Sequence, residues 1–260
     1  MIYAIDNEKR ITPSPKKIAK CPICNSEVRA KCGKINVWHW SHLNKEDCDD
    51  WYEPESEWHK KWKEEFPMEC QEFTMGKHRA DIRTKNRWII ELQNSRISSE
   101  KIIEREIYYR RMIWLLNGGT LLKGIRIKQN KKTITFRWKN PSKTWWASKK
   151  EIYVDLAGNV KLLEEALKSY EFGNKKYITP IKGYGEYTFF TDYGEEITRE
   201  SEWLSTIGYE DETSYKISHL KALIKLLKGK IFLIKKIYPK LPCYGWGELL
   251  SRKEFLDKFK

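Results

Sequence analysis

Along residues 54–116 the spacing of apolar positions changes from four to two and back, and each change marks an element. In EPESEWHKKWKEEF, Trp58, Trp62 and Phe66 recur every fourth residue behind Pro54, which predicts an amphipathic helix. MECQEFTM, HRADIRT and RWIIELQNS then read as three short strands, with MGKH and TKNR as the turns between them. A helix is expected from Ser98, a good capping residue, to Leu116, where Asn117-Gly118-Gly119 stops it. Upstream, a short strand and a Pro-containing turn lead into CPICNSEVRAKCGKINVWHWSH, which carries ligand-type residues at both ends and a Cys32-Gly33 turn between them.

Beyond Gly119 the pattern changes. KTITFRWK alternates as strands do, YVDLAG reads as a further strand and VKLLEEALKSY as a helix. Residues 175–208 are rich in aromatics and glycine, with TFFTDYGEEIT as a hairpin, and YKISHLKALIKLLKGKIFLIKKI reads as a long basic helix or a helix pair. The expected organisation is a zinc-ribbon-like module at 1–50, a core at 51–119 and a basic α+β region at 120–260.

Composition sharpens this picture. The 260 residues carry a formal charge of +14, which favours partners rich in phosphate, nucleic acid above all. The first 17 residues lack an apolar run behind a charged head, so no secretory signal is expected. No stretch reaches the about 18 consecutive apolar residues of a membrane helix, so a cytoplasmic chain without a membrane partner is expected. In a reducing compartment the six cysteines point to metal or burial rather than disulfides.

Cys21 and Cys24 have the spacing of a zinc knuckle, and His39 and His42 follow to complete four ligands. H-x2-H is short for such a pair, so Cys32 or Cys48 can replace one of the histidines. Four protein ligands leave no open position, which makes the zinc structural. A second constellation lies on the strands. Glu91 and Gln93, two apart, face one way while Leu92 faces the other, and Asp81 belongs to the preceding strand. Two carboxylates on neighbouring strands suit a magnesium or manganese ion, which neutralises phosphate charge and generates hydroxide at neutral pH. The Leu92 carbonyl would be a further oxygen ligand, and Gln93 would orient the attacking water without acting as a base.

CPIC with HWSH, ESEWHKKWK, RADI, IELQNSRIS and REIYY, in that order over roughly residues 20 to 116, together resemble the competence protein CoiA family. Its nuclease core belongs to the PD-(D/E)xK superfamily. The resemblance implies an α/β, restriction-endonuclease-like core with an N-terminal zinc ribbon and a C-terminal α+β region. It implies Asp81 and Glu91 as metal ligands, with Gln93 where the commonest form has lysine. It adds Glu57 as a third metal ligand, with Glu55 and Glu53 as competitors, and His59 and Lys63 on the same helical face. Arg105 and Tyr108 resemble auxiliary phosphate contacts.

In the basic half, KQNKKTITFRWKNPSKTWWASKK interleaves Lys131, Lys132 and Arg137 with Trp138, Trp145 and Trp146, a pattern suited either to nucleic acid or to a core with a solubilising outer face. The expected function is a metal-dependent nuclease hydrolysing DNA phosphodiesters, in DNA uptake and recombination or in phage defence. Its rivals are a non-catalytic DNA-binding accessory protein and a nuclease subunit that works with a partner protein.

Overall fold

A computed structural model describes residues 1–44, 48–51, 53–121, 125–129, 134–138, 142–171, 189–190, 196–197, 212–239 and 242–260. Two compact units divide them. The first comprises Met1–Leu116, Thr144–Ile152 and Leu256–Lys260, and the second Asn117–Lys143 and Tyr153–Phe255.

The first unit begins with β1 (Ala4–Asp6), β2 (Lys9–Ile11), β3 (Ile18–Lys20), β4 (Glu27–Lys31) and β5 (His39–His42), an antiparallel sheet in the order β2-β1-β3-β4-β5. Strand alternation in EVRAK sends Val28 and Ala30 inward, where they pack with Ala4, Ala19, Cys21 and Trp40.

Helix α1 (Glu57–Lys63) follows. Ser56 caps it by accepting from the His59 amide, and His59 Nδ1 in turn accepts from the Ser56 amide. Strands β6 (Gln71–Met75), β7 (His78–Arg83) and β8 (Ile89–Gln93) follow, with β7 antiparallel to both of its neighbours. Helix α2 (Ser99–Tyr109), capped by Ser98, crosses over to β9 (Met112–Asn117), which lies parallel to β8. The helix expected to reach Leu116 therefore ends at Tyr109. Arg110 turns the chain at φ 56°, and Met112–Leu116 is a strand in which every residue is buried. An apolar run hidden on both faces has no period to distinguish strand from helix.

The second unit contains a short turn of helix α3 (Gly118–Leu121), β10 (Ile125–Gln129), β11 (Ile134–Trp138), β12 (Ile152–Asp155) and α4 (Ala157–Glu171). The pair β13 (Phe189–Phe190) and β14 (Glu196–Ile197) is antiparallel and lies in the stretch expected to form a hairpin. Most of residues 175–208 lie outside the described residues. Then come α5 (Glu212–Leu227), β15 (Lys230–Tyr238), β16 (Cys243–Ser251) and the start of α6 (Arg252–Phe259), whose residues from Leu256 on belong to the first unit. Strands are ordered β10-β11-β16-β15-β12. The expected basic helix pair is a helix followed by a strand: Gly229, at φ 69°, ends the helical run, and IFLIKKI continues extended. Among the described residues no helix is long and apolar enough to cross a membrane.

Candidate metal centre and carboxylate site

Ligand atoms of Cys21, Cys24, His42 and Cys48 lie within 4.8 Å of one another. The knuckle is built by its own backbone: Asn25, at φ 60°, donates to the Cys21 carbonyl (3.0 Å), and the Ile23 amide points at Cys21 Sγ (3.4 Å). Cys21 Sγ is 3.6 Å from Cys48 Sγ, and Cys24 Sγ is 3.3 Å from His42 Nε2. His39 is not in this group. Three residues apart on one strand, His39 and His42 point to opposite faces, and His39 Nδ1 lies 2.8 Å from the Val37 carbonyl. Cys48 stands in its place, while Cys32 packs against the small core.

Burial raises the Cys24 thiol, but hydrogen bonds from Ser26, Cys48 and His42 outweigh it and bring the pKa down to about 6. Burial and the neighbouring Cys24 and Cys21 sulfurs push Cys48 up. Three sulfurs and one imidazole nitrogen fit a structural zinc, and these four residues can hold one.

The second site lies on β7 and β8. The register that pairs Ile82 with Ile90 sets Asp81 beside Glu91, and the Asp81 amide donates to Glu91 Oε1 (3.3 Å). Asp81 Oδ2 accepts from the Leu92 amide (3.0 Å), and Oδ1 faces Lys63 Nζ at 3.1 Å. Glu91 Oε2 accepts from Arg105 (2.8 Å). From α1, His59 reaches the same place. With Nδ1 accepting from the Ser56 amide, the ring donates from Nε2 to the Leu92 carbonyl (3.2 Å). That carbonyl, expected as a metal ligand, meets the imidazole.

Lys63 is 1% exposed and contacts three carboxylates, Asp81, Glu55 (2.8 Å) and Glu72 (3.2 Å). Burial would lower its pKa, but these three charges raise it. Asp81 retains some exposure at its side chain, 23%, and its carboxyl is lowered despite burial, by Lys63 first and by the Leu92 amide. Glu91 is hidden. Burial, opposed by Arg105 and assisted by the Asp81 charge, raises its pKa to about 7.

The third acid at this place is Glu53, not Glu57. Glu57 is exposed on α1, since it sits two residues before His59, on the other side of the helix. Glu53 accepts from the Gln93 side-chain amide (2.9 Å) and the Asn94 backbone amide (3.2 Å), and burial raises its pKa. Gln93 Oε1 and Glu55 Oε1 are buried without a hydrogen-bond partner.

Glu53 arrives on a strap that leaves the metal cluster at Cys48. Asp49 accepts from the Arg79 amide (3.1 Å) and meets His78 Nδ1 (3.0 Å). Trp51 stacks on the His78 ring at 3.4 Å, and its carbonyl accepts from Arg105 (2.6 Å). Asp49, Trp51, Glu72 and His78 are not among the residues expected at the site. Glu72, buried at φ 44°, also accepts from the Ile2 amide (2.8 Å), and the only sequence signal for it was an acid inside an apolar strand.

Other expected contacts lie elsewhere. Arg105 is buried and spent on Glu91 and the Trp51 carbonyl, so it is not presented to a phosphate. Tyr108 donates to the Met75 carbonyl (2.5 Å) beside Gly76, in the β6–β7 turn. Trp138 and Trp145 are core residues, and Trp145 meets Trp114 edge to face at 5.2 Å. Arg137 is exposed on β11, and Lys131 and Lys132 lie outside the described residues.

The family model for the competence protein CoiA N-terminal domain matches residues 14–50. All four cluster residues fall inside that match. This stretch is similar to the CoiA N-terminal domain. No curated protein and no solved structure matched the chain.

Proposed function

We propose that the first unit is a metal-dependent nuclease acting on DNA, with a structural zinc in the CoiA-like module and a place in DNA uptake, recombination or phage defence. The observation that carries the reading is Asp81 beside Glu91 on adjacent strands, with Gln93, Glu53, His59 and Lys63 gathered around them.

The donor chemistry fits magnesium or manganese. Magnesium keeps several waters and needs only one or two carboxylates, and the unpartnered Gln93 Oε1 is a spare buried acceptor. Asp81 and Glu91 would hold the ion, which supplies Lewis acidity and a hydroxide at neutral pH. Around it, Lys63, buried against Asp81, Glu55 and Glu72, holds the Asp81 carboxylate charged and in place. Gln93, held through its amide nitrogen by Glu53, keeps its oxygen free to orient water. His59 holds the Leu92 carbonyl and with it the path of the strand between the two functional positions.

One observation favours a rival reading. Glu91 is ion-paired with Arg105, Asp81 with Lys63, and among the described residues no three His, Cys, Asp or Glu ligand atoms gather there within 4.8 Å of one another. A site neutralised by its own cations can instead be a silent scaffold in a DNA-binding accessory protein. Incubating purified protein with plasmid, linear duplex and single-stranded DNA, with and without magnesium or manganese, separates the two. Nicked or degraded DNA only with metal is expected, and intact DNA under every condition would favour the scaffold.

A further inference from the structure

In the second unit, β10, β11, β16 and β15 run antiparallel to their neighbours, so residues paired across them share a face. Tyr244 pairs with Arg137 on one side and Tyr238 on the other, and Trp246 pairs with Thr135 and Lys236. One face thus presents Tyr238, Tyr244 and Trp246 with Arg137 and Lys236 beside them. The opposite face buries Phe136, Trp138 and Phe232.

Strand β16 is one-sided for a steric reason. On its buried face stand Gly245 and Gly247, where a Cβ would run into the rings of Phe136 and Phe232. Its bulk therefore lies outward. The three outward aromatics stay 46%, 47% and 37% exposed, and cations lie over two of their rings. Arg137 is 5.7 Å from the Tyr244 centroid and Lys236 is 5.2 Å from that of Tyr238.

We propose that this face binds single-stranded DNA, with Tyr244 and Trp246 stacking on bases and Arg137 and Lys236 meeting phosphates. Duplex bases have their faces covered by their neighbours, so outward rings can stack only on unpaired bases. Cations set beside the rings complement a polyanion, whereas the centre of a protein interface is depleted of lysine. Glu248, on the same strand, is paired with Lys235 (3.3 Å). The choice of DNA rests on the proposed function.

The test is fluorescence anisotropy of a labelled oligothymidylate titrated with the full chain, without added magnesium or manganese so that cleavage does not enter. Wild type should bind, and Tyr244→Ala with Trp246→Ala should weaken binding at least about tenfold at unchanged circular dichroism. Tyr244→Phe with Trp246→Phe should keep most of the affinity, because a ring of either kind stacks. Absence of wild-type binding, unchanged affinity in the folded double-alanine protein, or tighter binding of duplex DNA or oligouridylate would overturn the proposal. If the double-alanine protein fails to fold, Arg137→Gln with Lys236→Gln decides, and unchanged affinity there overturns it too. Protein that cleaves DNA with metal but does not bind the oligonucleotide removes this face alone. Binding without any cleavage sustains the face and counts against the carboxylate site.

Discussion

Asp81 and Glu91 sit on adjacent strands yet ionise in opposite directions. Lys63 holds Asp81 charged, whereas burial outweighs Arg105 and lifts Glu91 to about 7. A raised acid binds more protons folded than unfolded, so its contribution to stability is greatest below 4.5 and is lost as pH rises to about 7. Across that window wild type should lose on the order of 1–3 kcal/mol relative to Glu91→Gln, read as a difference in the slope of denaturation midpoint against pH. Equal slopes would mean that Glu91 is ionised throughout. Lys63 makes a second prediction. Lys63→Met leaves Glu55, Glu72 and Asp81 buried without their shared cation and should cost about 3–5 kcal/mol in urea denaturation. A loss below about 1 kcal/mol would show that these carboxylates are neutral in the native protein.

The strap between Cys48 and Glu53 joins two sites that the sequence presents separately. Cys48→Ser should lower zinc content measured by metal analysis, whereas His39→Ala should leave about one zinc per chain, since His39 faces away from the cluster. The reverse result would restore the histidine pair. Stripping the metal should also loosen Trp51 from His78 and change its emission, because the same strap carries both.

CPIC was legible because a C-x2-C turn is self-contained, and Asp81, Glu91 and Gln93 because strand alternation aligns them. The choice between His39 and Cys48 was not legible, since it depends on which face of β5 meets the knuckle. Nor was Glu53 separable from Glu57: the entry of a loop onto the sheet decides it, and no local spacing encodes that. The strand at Met112–Leu116 stayed hidden because complete burial erases periodicity.

At the scale of the molecule, the charge of +14 should make DNA affinity fall steeply with salt, as counterion release requires. Affinity that stays constant from low to physiological salt would reassign the basic surface to a protein partner. Cleavage is the more demanding claim, because it needs the carboxylates to exchange their lysine and arginine for a metal ion. The most direct measurement is the magnesium- or manganese-dependent cleavage rate of folded Asp81→Asn and Glu91→Gln proteins beside Glu57→Ala. The first two should lose more than about a hundredfold, and Glu57→Ala should keep the wild-type rate. Unchanged cleavage in Asp81→Asn and Glu91→Gln, or cleavage that needs no divalent ion, would contradict that claim.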